Sequence, residues 1–174
     1  MRVPLDFQAF YQTYHRDYLL YALLQVGSEK TALDLVEVVF AQLLEDWPEV
    51  LREPNVQRYA FSVLRHAIGV HHALTGSPGA LVETAAFERV RVAVRRQLEV
   101  MESSLGLYSA IARLPRRQMD VIVFRFVLGY GVRSTAEIMG ISMGTVRSHL
   151  HSARRQLAVE VGVRWDSREP EEIA

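Results

Sequence analysis

Apolar side chains recur at three-to-four-residue spacing along almost the whole chain, a pattern that restricts it to packed helices. Residues 5–26 carry Phe7, Phe10, Tyr11, Tyr14, Tyr18 and Leu19 on one stripe. Ser28 can cap a second helix, whose stripe of Leu33, Val36, Phe40, Leu43, Leu44 and Trp47 runs to Pro48. A third helix is expected after Pro54-Asn55, with Tyr59, Val63, Ala67 and Val70 on its apolar side. Thr75-Gly76-Ser77-Pro78-Gly79 then gathers turn formers and breaks the periodicity. Between 80 and 103, Phe87, Val90, Val94, Leu98 and Met101 fall within about 80° of one another on a helical wheel. That amphipathic helix either packs on one of the halves or docks a partner helix. The run Val121-Ile122-Val123-Phe124-Arg125-Phe126-Val127 is β-branched and aromatic. It reads as helix nonetheless, since Pro115 suits a helix start, Gly129 and Gly131 its end, and a lone strand has no partner here.

The expected fold class is therefore all-α: two small helical domains joined by a linker with an extra helix. The boundaries fall at residues 1–74, 75–103 and 104–160, followed by an acidic tail at 161–174 that contains Trp165. At 174 residues the chain has room for two such modules. It contains no cysteine, which excludes disulfide frameworks, thiolate metal sites and cysteine nucleophiles. No apolar stretch approaches the ~18 residues of a membrane span and the N-terminus has no signal-peptide pattern, so a cytoplasmic location is expected.

The formal charge is zero, but it is unevenly distributed. Residues 1–73 carry six Arg/Lys against nine Asp/Glu. From 104 to 158 the balance reverses, with eight arginines facing only Asp120 and Glu137. A basic block between acidic flanks can hold a polyanion locally whatever the overall charge.

Within that block lies Ser134-Thr135-Ala136-Glu137-Ile138-Met139-Gly140-Ile141-Ser142-Met143-Gly144-Thr145-Val146-Arg147-Ser148-His149-Leu150. A short helix ending near Gly140, Ile141 turned into a core and Ser142 capping the next helix make a helix-turn-helix. Val146, Leu150, Ala153 and Leu157 define the buried side of the second helix. The opposite side carries Gly144, Arg147, Ser148, His151, Ser152 and Arg155, with Thr145 and Arg154 flanking and His149 nearer the buried edge. Small residues at the N-terminal end permit close approach to a major groove, and cations and hydroxyls further along can meet phosphates and base edges. The alternative for such a face is plain solvation.

In order and spacing, Leu114-Pro115-Arg116-Arg117-Gln118, Val121-Ile122, Arg125, Gly140 to Ser148 and Ala153-Arg154 resemble the C-terminal promoter-binding region of the extracytoplasmic-function sigma factors of bacterial RNA polymerase. A LuxR-type output domain shares the Thr-Val-Arg-Ser-His pattern but does not account for the N-terminal half. There, Asp34-Leu35-Val36-Glu37 followed by Phe40 is similar to the family segment that docks on the polymerase clamp helices. The resemblance covers most of residues 7–158. It implies a region 2-like domain that opens the −10 element and a region 4-like domain that binds the −35 element. By the same resemblance Asp34, Leu35, Glu37 and Phe40 bind polymerase. Arg58, Tyr59 and Arg65 contact DNA in the first domain; Arg133, Gly144, Thr145, Arg147, Ser148, His149, His151, Ser152, Arg154 and Arg155 do so in the second. The implied partners are core RNA polymerase, promoter DNA and an anti-sigma factor.

The chain also departs from that pattern. Glu37-Val38 stands where the family usually has Gln-Glu, and Leu44 where Trp is common. In the DNA-opening helix Tyr59, His66 and Val70 replace the usual Trp, Asn and Asp, and His71-His72-Ala73-Leu74-Thr75 replaces a basic cluster. Tyr59, Phe61, Arg58 and Arg65 remain to stack on bases and follow the backbone, giving a degenerate −10-reading segment. Met119 replaces a frequent Arg, and Ser152 stands where a base-reading Arg is frequent, which leaves His151 or Arg155 to compensate.

An enzyme is not expected, because no nucleophile elbow or catalytic carboxylate pair is recognisable. His66, His71 and His72 do not have the i, i+4 spacing that would converge on a metal, so no metal or other cofactor is expected. Two functions stay open: a sigma factor that directs promoter-specific initiation, and a sigma-like regulatory or interaction protein that binds proteins or DNA without opening promoters.

Overall fold

The computed structural model describes residues 3–76, 92, 110, 111, 113–160 and 162. Regular structure among them is all helical, with no strand. The expected helix at 80–103 and the tail at 161–174 lie outside the described residues, apart from Val92 and Gly162.

Helix α1 spans Leu5–Val26 and packs antiparallel-fashion through a short turn onto α2, Glu29–Glu45. Ser28 caps α2 as expected, its Oγ accepting the Thr31 backbone N–H at 3.3 Å. The stripe of α2 does not run unbroken to Pro48. The helix stops at Glu45, and Trp47–Val50 forms a separate turn, α3, with Pro48 in its first turn, where the missing N–H costs no hydrogen bond. Trp47 is nevertheless buried, its ring edge-on to Phe7 with centroids 5.1 Å apart. Phe10 and Phe40 complete this aromatic core. Leu33, expected on the same stripe, is exposed instead.

Asn55 caps α4, Val56–Thr75, its Oδ1 accepting the Arg58 N–H at 2.7 Å. The buried side of α4 is Ala60, Phe61, Leu64 and Ile68, not the expected stripe, and Val70 is exposed. The two stripes are offset by one residue, about 100° around the helix. Packing against α1, α2 and the C-terminal half selects the second one.

In the C-terminal half, α5 begins after Pro115 and runs over Arg116–Ile122 into a π-helical turn at Val123–Val127. The β-branched run is thus helical, as expected, but with the wider pitch in which Leu128 N–H donates to the Val123 carbonyl at 2.9 Å. Helices α6, Val132–Met139, and α7, Met143–Glu160, complete the described chain. Ile111, Met119, Ile122, Ile138, Val146 and Leu157 fill the space between them. The core continues from one half into the other, where Phe61 of α4 meets Phe124 edge-to-face at 4.8 Å. No described helix is long and apolar enough to cross a membrane.

Candidate nucleic-acid interface

The turn between α6 and α7 is built from local chemistry. Gly140 sits at φ +65°, a left-handed conformation that a residue with a Cβ adopts only at a cost. From there its N–H donates to the Glu137 carbonyl at 3.4 Å and the Ile141 N–H to the Ala136 carbonyl at 3.0 Å, the paired bonds of a Schellman motif. Ile141, next in the chain, is thereby turned against the core. Ser142 Oγ accepts the Thr145 N–H at 3.0 Å and shares a 2.8 Å hydrogen bond with the Thr145 hydroxyl, which starts α7.

Helix α7 is two-sided. Val146, Leu150, Ala153 and Leu157 are buried, which fixes its rotation against α5 and α6. Gly144, Arg147, Ser148, His151 and Arg155 are exposed on the opposite side. Thr145, His149, Ser152 and Arg154 are half-buried at the flanks, and the Arg154 guanidinium lies 5.7 Å from the centre of the Phe126 ring. Arg133 on α6 is exposed and pairs with Glu137 at 3.2 Å, a surface contact that leaves the arginine accessible.

The residues expected in the N-terminal half divide differently. Arg58 is exposed beside Gly140, where the glycine leaves room for its aliphatic stem; a Cβ there would lie 3.1 Å from Arg58 Cδ. Arg58 and Arg133 flank an open cleft of about 520 Å³ whose floor includes Asn55, Gly140 and Ser142. Tyr59 is half-buried. Arg65 is half-buried with its Nη2 3.8 Å from Asp120 Oδ2 of α5, while Phe61 is buried in the core and cannot stack on a base without being released.

On α2, Asp34 and Glu37 are exposed and Leu35 is half-buried. Glu37 Oε1 accepts from Tyr11 Oη at 3.2 Å and lies 3.3 Å from His15 Nε2. The Tyr11 phenol is raised above its ordinary value, first by desolvation and then by the Glu37 charge and hydrogen bond. Phe40 corrects the expectation of a partner contact. It is 3% exposed, enclosed by Phe7, Phe10, Tyr11 and Tyr18, and it supports α2 from beneath.

Five residues that sequence reasoning did not single out join the two halves. Tyr21 Oη donates to Asp120 Oδ1 at 2.8 Å, wholly inside the molecule. Tyr130 Oη donates to Asp17 Oδ2 at 2.6 Å and receives the Gln57 side-chain N–H at 3.4 Å. Burial raises Asp120 above its ordinary value, with Arg65 and the Tyr21 hydrogen bond opposing. The one available signal was Asp120 itself, an acid in a basic block between Met119 and Val121. No group of three acidic or histidine side chains among the described residues could hold a metal ion.

Residues 104–157 match the family described as "Sigma-70, region 4". Over 157 residues the chain is 23% identical to the ECF RNA polymerase sigma factor SigX of Bacillus subtilis, spanning 87% of this chain and 81% of that protein. These similarities support an extracytoplasmic-function sigma factor. Over 79 residues the chain is 34% identical to the ECF RNA polymerase sigma factor SigM of Mycobacterium tuberculosis, 45% of this chain and 40% of the relative. The fold of the chain is similar to that of the sigma factor RpoE of Bartonella quintana, solved in complex with the anti-sigma factor NepR. The TM-score is 0.59 at 20% identity, covering 92% of this chain and 99% of the other. The region 4 match and the sigma-factor relatives support a sigma factor for transcription initiation, and the reading as a sigma-like protein without that role is not favoured.

Proposed function

We propose that this sigma factor binds the −35 element through the exposed side of α7 and docks core RNA polymerase through the exposed acidic side of α2. The observation that carries the reading is the two-sidedness of α7. One side is locked into the core by Val146, Leu150 and Leu157, while Arg147, Ser148, His151 and Arg155 stand outward with Gly144 and Thr145 at the leading end. A helix held in that way can enter a major groove as a rigid reader. Arg147 and Arg155 are assigned to phosphates and base edges, His151 and Ser152 to base edges, and Arg133, His149 and Arg154 to the adjoining backbone.

In the N-terminal half Arg58 and Tyr59 suit a separated strand, which is held by ring stacking and backbone cations. Arg65 joins them once freed from Asp120. With few cations on α4 the −10-reading segment is degenerate. Asp34 and Glu37 would orient α2 on a basic polymerase surface by charge complementarity, with Leu35 beside them and Phe40 bracing from below. The working units are residues 1–74, 75–103, 104–160 and 161–174. The partners are core RNA polymerase, promoter DNA and an anti-sigma factor, and the chain acts in the cytoplasm as a non-catalytic subunit.

The test is transcription from a promoter library by the full chain and core polymerase, alongside fluorescence anisotropy on duplexes that carry the recovered −35 sequences. Arg147→Ala should weaken specific duplex binding by about ten- to a hundredfold, lower the salt slope by about one, and reduce transcripts in parallel. Transcripts and affinity indifferent to Arg147→Ala would remove α7 from the −35 role.

A further inference from the structure

The outward stripe of α7 does not stop at the residues assigned to DNA. Arg147, His151, Arg155 and Val159 follow one another at four-residue spacing and are all exposed, Val159 by 74% at the end from which the chain continues. Three arginines and two histidines lie along this helix, and its one acid, Glu160, is engaged by Arg113 at 3.4 Å and by Gln156 at 3.5 Å. Just beyond it Gly162 stands at φ +72°, and its N–H donates to the Val159 carbonyl at 3.3 Å. A left-handed glycine past a helix ends it and redirects the backbone, so the chain resumes at the Val159 end of the stripe.

The sequence beyond Gly162 alternates. At the two-residue period of extended backbone, Val163, Trp165, Ser167, Glu169 and Glu171 share one side, and Arg164, Asp166, Arg168, Pro170 and Glu172 the other. The first side is apolar near α7 and acidic further on; both arginines fall on the second. A proline restricts the residue before it to extended backbone, and Pro170 follows Glu169. The spacings also agree with those of α7, since extended residues advance about 3.3 Å each and helical ones about 1.5 Å. Laid back along the helix from Gly162, Trp165 reaches about 10 Å, level with Arg155 at about 10.5 Å, and Glu169 about 23 Å, level with Arg147 at about 22.5 Å. Glu171 arrives at about 30 Å, by the first turn of α7, whose N–H groups favour a negative charge.

We propose that residues 163–172 are an intramolecular counterpart to the outward side of α7 and lie antiparallel along it: the Trp165 ring covers Val159 and the Arg155 guanidinium, Glu169 pairs with Arg147, and Glu171 sits at the start of the helix. The acids then stand where phosphates of a duplex would, and DNA must displace them. Tethering sets the local concentration of the segment at roughly millimolar, enough for a seat held by a cation–π contact and two charge contacts. It lowers the affinity for every duplex by one factor, so weak binding through phosphates alone is suppressed at concentrations where specific sites still fill. The seat stands apart from the assignment of α7 to the −35 element; its effect on duplexes rests on that assignment.

The chain contains no cysteine, so Glu172→Cys, on the second side of the segment, carries a single nitroxide. In the isotope-enriched full chain at low salt, paramagnetic relaxation should broaden the amide signals of Gly144 to His151 most, and the broadening should fade at high salt. Mixing spin-labelled, unenriched chain with enriched chain that lacks the label should give none; broadening there would assign the contact to a second copy and overturn the proposal. A chain stopped after Gly162 should bind a non-specific duplex about five- to tenfold more tightly at low salt, with a salt slope steeper by about one to two, because the full chain gives up its own ion pairs as it takes up phosphates. Arg168→Glu/Glu169→Arg separates seating from bulk charge. It keeps composition and net charge but turns a cation toward Arg147, and it should lose the broadening and bind duplex like the truncated chain. Broadening absent from α7 in the full chain, a truncated chain no tighter on DNA than the full one, or a swapped variant as weak on DNA as the unaltered chain would each overturn the proposal. If the broadening appears and neither the full nor the truncated chain binds duplex, the DNA assignment of α7 fails and the seat itself stands.

Discussion

Asp120 is buried among apolar neighbours, and its carboxyl is pushed above the ordinary value of 3.8 because desolvation outweighs the attraction of Arg65. The folded chain therefore holds a proton there more tightly than the unfolded chain does. Stability from this group is complete below pH 3.8 and is lost as pH rises through the raised folded value. Asp120→Asn should accordingly leave neutral-pH stability unchanged or slightly higher, and should flatten the decline of the urea midpoint between acid and neutral pH. A neutral-pH midpoint that drops steeply in Asp120→Asn would mean that the Arg65 attraction dominates. At this scale the sequence was an uneven guide. The outward set on α7 was readable because a single helix facing one core obeys its own periodicity. Phe40 and Arg65 were not, because what they touch lies in other segments of the chain, at Phe7 and Phe10 for the first and at Asp120 for the second.

Among the elements, the helix-turn-helix was legible in full because its bonds are local. Gly140 supplies a left-handed backbone, Ile141 folds inward and Ser142 caps, all within three residues. Ser142→Ala should cost about 1 kcal/mol of stability, measured as a shift in the urea midpoint at constant slope, with Ser142→Asp or Ser142→Asn restoring most of it. Helix α4 shows the opposite case. Its sequence offers two adjacent apolar stripes, and only the arrival of Phe124 and the α1–α2 pair makes Ala60, Phe61, Leu64 and Ile68 the inner one. The premature end of α2 was written in Pro48, since a proline two residues beyond Asp46 belongs in a first turn rather than a helix interior.

For the molecule as a whole, one continuous core crossing between the halves predicts cooperative unfolding. Trp47 fluorescence, followed in a Trp165→Phe background, should change at the same denaturant concentration as far-UV circular dichroism. In Asp17→Ala/Tyr130→Phe the two transitions should separate, since each half then unfolds on its own. Two transitions in the unaltered chain would mean that the shared core contributes little. The charge asymmetry and the two-module plan were visible in the sequence; the joint between modules was not, because it is made from single residues scattered from Asp17 to Tyr130. The widened turn at Val123–Val127 adds a geometric constraint of its own. Deleting any one of its five residues would return the backbone to regular pitch, yet it would also swing everything downstream by about 100°. Phe124 would leave its seat against Phe61, and the reading helix would be presented out of phase, so the length of this short segment acts as a gauge that evolution or an engineer can alter only together with its surroundings.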